Sequence, residues 1–435
     1  MAILFITQRV PYPPNKGEKL RTYHQIKHLL DKGYGITVAC PIADKQEAEY
    51  AQALTDKLGV EVISAPLRNT AVAYISALLK RQSLSEAKFY SASLMSLIKQ
   101  ALADQPYTAI VCSASSLAQY IWDIPAANTP QKNIRKVMDF MDLDSDKWAQ
   151  YATKAPWPMR WVYSREALKV RQLEQRIVAD FDSTFFISQK EVDLFEKQQP
   201  QLIQHDVMAI GNGIETEYFS PKPSQEQHVL ATYLFVGVMD YKPNIDAVLW
   251  FCEYVWPSIL RRTPNAKFVI AGMSPSKVIK DLARQPSIQV TGFVENILPY
   301  FHQADVFVAP FQIARGVQNK VLQAMACGIP VITSSLGAEG IEAVQHEELL
   351  IANNANEYME IIAQLTDSKR YQVVANAAIA RIAMDYSWGG QLKLLDRLIA
   401  PEDNLIADTN ADPTINSTTD VESTAPVTPP PGQCA

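Results

Sequence analysis

The chain predicts an α/β protein of two Rossmann-like domains. Short runs rich in β-branched and aromatic residues alternate with stretches of helical period, which is the pattern of parallel sheets covered by helices. The scheme runs through twice in 435 residues, a length that suits two or three domains with ample core. No residue-level repeat accompanies it, so the duplication is one of architecture.

The first half opens on ILFIT (3–7), a buried strand too short to be a signal-peptide core and followed directly by proline and charge. PYPPNKGEKLR (11–21) comes next: its prolines stop the strand, and Gly17 permits close backbone approach just before a helix. The strands YGITVAC, VEVIS, AIVCSAS, IRKVMDF and STFFIS follow, each separated by a helical stretch. The second half repeats the order with YLFVGVM, AKFVIAG, IQVTGF, VFVAPF, PVITS and LLIAN. These runs predict a first domain over 1–205, a second over 206–385 and a last helix over 386–400. Residues 401–435 are rich in Thr, Pro, Asn and Asp and cannot bury enough apolar surface to order themselves, so a disordered tail is predicted.

A net charge of −6 is misleading, because the tail holds six acidic residues and no Lys or Arg. The other 400 residues carry 40 basic and 40 acidic groups, which gives no nucleic-acid footprint. Five scattered cysteines (Cys40, Cys112, Cys252, Cys327 and Cys434) form no C-x-x-C pair and fit buried thiols in a reducing cytoplasm. No apolar run reaches the ~20 residues of a membrane span. His24 and His28 lie one turn apart, but no third ligand stands nearby, and no metal site is predicted.

The most informative segment is ARGVQNKVLQAMACGIPVITSSLGAEG (314–340). It reads as a loop, a helix over Asn319 to Cys327, a tight Gly-Ile-Pro turn and a buried strand. A helix N-terminus fed by a glycine loop offers free N–H groups and a positive dipole end, which suits a phosphate. Arg315, Gly316, Asn319 and Lys320 lie at that end, and Gln323 sits one turn on with a group that can bond a sugar hydroxyl. At the second domain's first strand, Gly237 and Lys242 hold the matching loop position. DFMDLDSDKW (139–148) follows a first-domain strand, where α/β sheets place ligands. There Asp139 or Asp142 is placed to take a proton and Lys147 to orient the acceptor; a solvated acidic loop is the competing reading.

AMACGIPVITS resembles the donor-binding run of retaining glycosyltransferases of family 4, which have the GT-B fold. Where that family has two Glu residues, this chain has Arg315 and Gln323; where it has an Arg after the glycine, this chain has Val238, and Lys242 lies one position early. RVPYPPNKGEKLRTYH, DFMDLDSDKWAQYA, ISQKEVDLF, IGNGIETEYFSP and IARGVQNKVLQAMA are similar, more narrowly, to the sugar transferases associated with the PEP-CTERM/exosortase system. The resemblance implies two domains facing across a cleft, with the last helix crossing back to the first. It also implies a UDP- or GDP-linked sugar as co-substrate with no further cofactor, and transfer with retention to a glycan or polyprenyl-linked acceptor in exopolysaccharide synthesis. Gly17, Gly237, Lys242, Arg315, Gly316, Asn319, Lys320 and Gln323 would then meet the donor, and Lys16, Arg21 and Asp139 the acceptor, with Asp142 and Lys147 catalytic. Arg315 and Lys320 would replace the missing loop charge.

Residues 153–178 combine Trp157, Trp161 and Tyr163 with five cations before Arg176, and AVAYISALLKRQ (71–82) shares that character. This composition predicts a peripheral contact at the inner face of the plasma membrane, against the alternative of an amphipathic helix packed on its own domain. Two other functional readings stand beside transfer. The first is an inactive GT-B scaffold, suggested by Gln323. The second is a nucleotide-sugar epimerase, disfavoured by the AMACGIPV run.

Overall fold

The computed structural model describes residues 1–124, 134–202, 207–222, 230–314 and 317–399; the tail expected from residue 401, with Cys434, lies outside them. Two compact units are present, one of Met1–Asn212 together with 391–399, the other of Gly213–Gly390.

The first unit is built on a seven-stranded parallel sheet. Its strands are β1 (Ala2–Ile6), β2 (Gly35–Ile42), β3 (Glu61–Pro66), β4 (Ala109–Cys112), β5 (Arg135–Met141), β6 (Ser183–Phe186) and β7 (Val207–Ala209). They lie in the order β3-β2-β1-β4-β5-β6-β7. Ile3, Leu4, Phe5 and Ile6 are all fully buried, as a central strand covered on both faces requires. The sequence expectation ended this domain at 205. The short strand β7 pairs Thr184 with Val207, so the unit runs on to Asn212.

The second unit has a six-stranded parallel sheet of β8 (Thr232–Val236), β9 (Lys267–Ala271), β10 (Ile288–Gly292), β11 (Val306–Ala309), β12 (Val331–Thr333) and β13 (Leu350–Ile351). Their order is β10-β9-β8-β11-β12-β13. Each sheet therefore reverses direction beside its first strand, between β1 and β4 and between β8 and β11. Such a reversal opens a crevice at the carboxyl ends of the strands, where α/β proteins take ligands.

The helix Asn319–Ala326 buries Val321, Leu322, Ala324, Met325 and Ala326 and stops at Gly328, whose φ of +69° suits a residue without a Cβ. The last helix, Trp388–Ile399, joins the first unit from Gln391 onward. It buries Leu392, Leu395, Leu398 and Ile399 there. His28 Nε2 lies 2.8 Å from Asp396, and Gly211 N donates to Gln391 over 2.8 Å.

Candidate functional site

In the second unit the loops after β8 and β11 converge on Gly237. A Cβ at that position would lie 2.7 Å from Asn244 Nδ2 and 3.0 Å from Lys320 Nζ, so glycine is what admits both side chains. Asn244 opens its own helix, Lys242–Trp250, and donates from Nδ2 to the Val238 carbonyl at 2.9 Å. That bond aims its Oδ1 at Lys320 Nζ, 2.8 Å away. The ammonium also lies 5.5 Å from the Phe235 ring and 5.2 Å from Phe311. Burial pushes its pKa down from 10.5 to about 8. Among the described residues no carboxylate neutralises it. One amide oxygen and two ring faces thus hold a cation at the switch point, beside the first turn of the helix Asn319–Ala326, which has no side-chain cap. This combination favours an anion.

The remaining donor-side candidates are more varied. Asn319 is exposed at the start of its helix, and Gln323 is half-buried one turn later. Lys242 points to solvent with 79% of its side chain exposed and pairs with Asp246 at 2.9 Å. It is not part of the Lys320 cluster. Arg315 and Gly316 lie outside the described residues.

In the first unit the expected acceptor residues Arg21 and Asp139 have no exposed surface and hold each other. Arg21 Nε donates to Asp139 Oδ2 at 2.6 Å, and Gln25 Nε2 donates to the same oxygen at 2.7 Å. The backbone N–H of Met141 takes Oδ1 at 3.0 Å, and Arg21 reaches Asn212 at 3.1 Å. Their charges are spent on joining the helix Gly17–Asp31 to β5, and neither group meets solvent. Lys16 is exposed at the start of that helix, and a Cβ at Gly17 would meet no atom within 4 Å. The expected need for glycine there does not arise from this unit's own packing.

Asp142 and Lys147 are brought together. Lys147 Nζ lies 3.2 Å from Asp142 and 3.2 Å from Asp144, at the head of the helix Asp144–Lys154. Burial pulls the Lys147 ammonium down, but the two carboxylates outweigh it and hold its pKa above the ordinary value. Asp142 is half-exposed. Of the histidine pair, His28 faces Asp396 at 2.8 Å, and no group of three or more His, Cys, Asp or Glu side chains placed to hold a metal ion occurs among the described residues.

The sequence reading missed three residues. Asn244 gave no signal beyond a polar residue on an otherwise apolar helix face. Gly272, at φ +144°, is required because a Cβ there would lie 1.8 Å from the Gly237 carbonyl oxygen, a close approach between β8 and β9 invisible in one dimension. Glu174 is buried behind the Asp142 loop and accepts from Ser145 N at 2.9 Å; burial lifts its pKa to about 8.

Over 369 residues the chain is 21% identical to an uncharacterized 44.6 kDa protein in the cps region of Klebsiella pneumoniae, covering 81% of this chain and 87% of that one. Over 121 residues it is 34% identical to an uncharacterized glycosyltransferase of Methanocaldococcus jannaschii, 26% of this chain and 29% of that one. Among solved structures, HepE of Anabaena in complex with UDP superposes with a TM-score of 0.53 at 15% identity, covering 91% of this chain and 99% of that one. TarM gives a TM-score of 0.54 at 10% identity, covering 92% and 98%. The fold is the GT-B fold of these neighbours. Residues 231–368, which contain Gly237, Asn244 and Lys320, match the family model described as Glycosyl transferases group 1.

Proposed function

We propose that the protein is a retaining glycosyltransferase that takes a UDP- or GDP-linked sugar and transfers the sugar to a glycan acceptor carried on a lipid. The observation that carries the reading is Lys320, an ammonium without a carboxylate partner among the described residues, held over Gly237 at the switch point of the glycosyl transferases group 1 domain. A diphosphate placed there would meet Lys320 and the first-turn N–H groups of the helix Asn319–Ala326. Gln323 would offer its amide to the ribose hydroxyls.

In the reaction the bond from the anomeric carbon to the diphosphate oxygen breaks, and the acceptor oxygen bonds to that carbon on the same face. The acceptor proton passes to the departing diphosphate, whose charge Lys320 stabilises. Asp142, steered by Lys147, would orient the acceptor hydroxyl. The assignment to polysaccharide synthesis draws on the motifs resembling exosortase-associated transferases and on the similarity to a protein in the cps region of Klebsiella pneumoniae. UDP in the HepE structure is consistent with a nucleotide donor.

A thermal-shift screen against UDP, GDP, ADP and their common sugars tests the reading. A ligand at 100 times its Kd adds ~2.7 kcal/mol of stability, so one nucleotide family should stand out. Absence of any shift at millimolar nucleotide would turn the assignment toward an inactive scaffold. Gln323, uncharged where family 4 enzymes carry Glu, is the residue that favours this second reading. Gln323→Glu separates the two, since a large gain in transfer marks a decayed site.

A further inference from the structure

The helix Thr70–Lys80 of the first unit is inside out for a soluble surface helix. Its inward face is made of Ala73 and Ala77, while Val72, Ile75, Leu78 and Leu79 point outward, Leu79 with 81% of its surface exposed. Burying methyl groups and exposing four larger aliphatic chains wastes hydrophobic stabilisation unless something other than water meets that face. A second exposed apolar element belongs to the same unit. The turn joining the helices Asp144–Lys154 and Met159–Asp180 exposes Trp157 (84%), Met159 and Trp161 (61%).

The two elements are locked together by hydrogen bonds. The Glu166 carboxylate, fully buried, accepts from Leu84 N at 2.8 Å and Ser85 N at 2.9 Å, and Arg165 donates to the Gln82 carbonyl at 2.9 Å. The end of the helix Thr70–Lys80 is thereby tied to the stretch of chain that follows Trp161.

The charges flanking these apolar side chains are mostly positive. Residues 68–85 contain Arg68, Lys80 and Arg81 and no acid, and residues 148–164 contain Lys154 and Arg160 and no acid. Lys80, Arg81, Lys154 and Arg160 are all exposed. Behind the helix, Arg68, Lys80 and Arg176 line a cavity of about 270 Å³, with Glu86 and Asp123 on the same wall. Glu86 is occupied by Ser83, whose N–H and hydroxyl both donate to it. No helix among the described residues is long and apolar enough to cross a membrane.

We propose that the outer face of Thr70–Lys80 and the Trp157–Trp161 turn form one docking surface for an anionic phospholipid bilayer. Aliphatic chains and tryptophans enter the boundary between headgroups and acyl chains, and the flanking cations meet lipid phosphates. The proposal rests on the lipid-linked acceptor only for its purpose; the surface itself is independent of sugar transfer.

Co-sedimentation of the full chain with phosphatidylcholine vesicles, and with vesicles one-third phosphatidylglycerol, tests it. Binding should favour the anionic vesicles by roughly tenfold or more and weaken with salt. Leu79→Glu with Trp161→Glu should abolish it, and Lys80→Gln with Arg81→Gln should weaken it by about fivefold per charge. These side chains are exposed, so the variants should keep the wild-type unfolding midpoint and any nucleotide-induced shift. Equal binding to both vesicle types, or variants that bind as wild type does, overturns the proposal. So does a wild-type dimer that these substitutions convert to monomer, since the face would then belong to a second copy. Vesicle binding without any nucleotide response would leave this surface standing and remove the transferase reading instead.

Discussion

Lys320 gives up much of its hydration for two aromatic faces and the Asn244 oxygen, and its ammonium begins to lose its proton near pH 8. Binding of a diphosphate needs the charged form and in turn stabilises it. Nucleotide affinity should therefore be full below about pH 8, fall as pH rises through it, and be accompanied by proton uptake near that pH. Calorimetric titration in buffers of different ionisation enthalpy reads the uptake directly, and Lys320→Met should remove it and weaken binding by about tenfold or more. Gly272 makes a different prediction. With a φ of +144° and the Gly237 carbonyl 1.8 Å from any Cβ, Gly272→Ala must displace the loop under Lys320. It should lower unfolding stability by about 1–3 kcal/mol or more in urea titrations and weaken nucleotide binding with it. Neither Asn244 nor Gly272 was legible in the sequence, because each owes its role to a neighbour in another strand or loop. Lys320 was legible, since its place at a helix start after a glycine loop is a local pattern.

Among the elements, the central strands could be read directly. A run such as ILFI (3–6), apolar at every position, rich in β-branched and aromatic residues and ended by a proline-rich loop, fits a strand covered on both faces. β7 escaped notice because three residues carry too little pattern, and its pairing with β6 is what identifies it. The helix Gly17–Asp31 was placed correctly at its start, but the fate of its cations was not legible. Arg21 finds Asp139 across 118 positions of sequence, and charge alone does not tell a ligand contact from a buried ion pair. Removing one partner should show which it is. Asp139→Ala should cost about 3–5 kcal/mol in chemical denaturation by stranding a buried guanidinium, whereas a residue that only met the acceptor would leave stability unchanged. Glu174 adds a pH dependence. Burial raises its pKa from 4.5 to about 8, so the folded state holds a proton that the unfolded state releases. The stability from that proton is fully present below 4.5 and is lost as pH rises through about 8. Glu174→Gln should flatten the pH dependence of the denaturation midpoint across that window, and an unchanged slope would place the proton elsewhere.

At the level of the whole molecule, each unit has its own parallel sheet and its own buried core, so each has the means to unfold as a cooperative body. The Lys320 cluster lies entirely in Gly213–Gly390. Nucleotide should therefore raise the melting of that unit, and a calorimetric trace resolved into two transitions should show one of them move while the other stays. A trace in which both shift equally would mean that the units are energetically one.

The chain completes its first unit only with the helix that buries Leu392, Leu395 and Leu398 and sets Asp396 against His28. During synthesis, then, the nascent first unit must wait for the whole of Gly213–Gly390 to be translated before its last piece emerges from the ribosome. The later-encoded unit is topologically an insertion and has all of its residues available first. A premature stop near residue 390 would release a protein whose Gly213–Gly390 unit is finished and whose first unit lacks the helix that contributes Leu392, Leu395, Leu398 and Ile399 to its core. That species is one for chaperones to hold and proteases to clear.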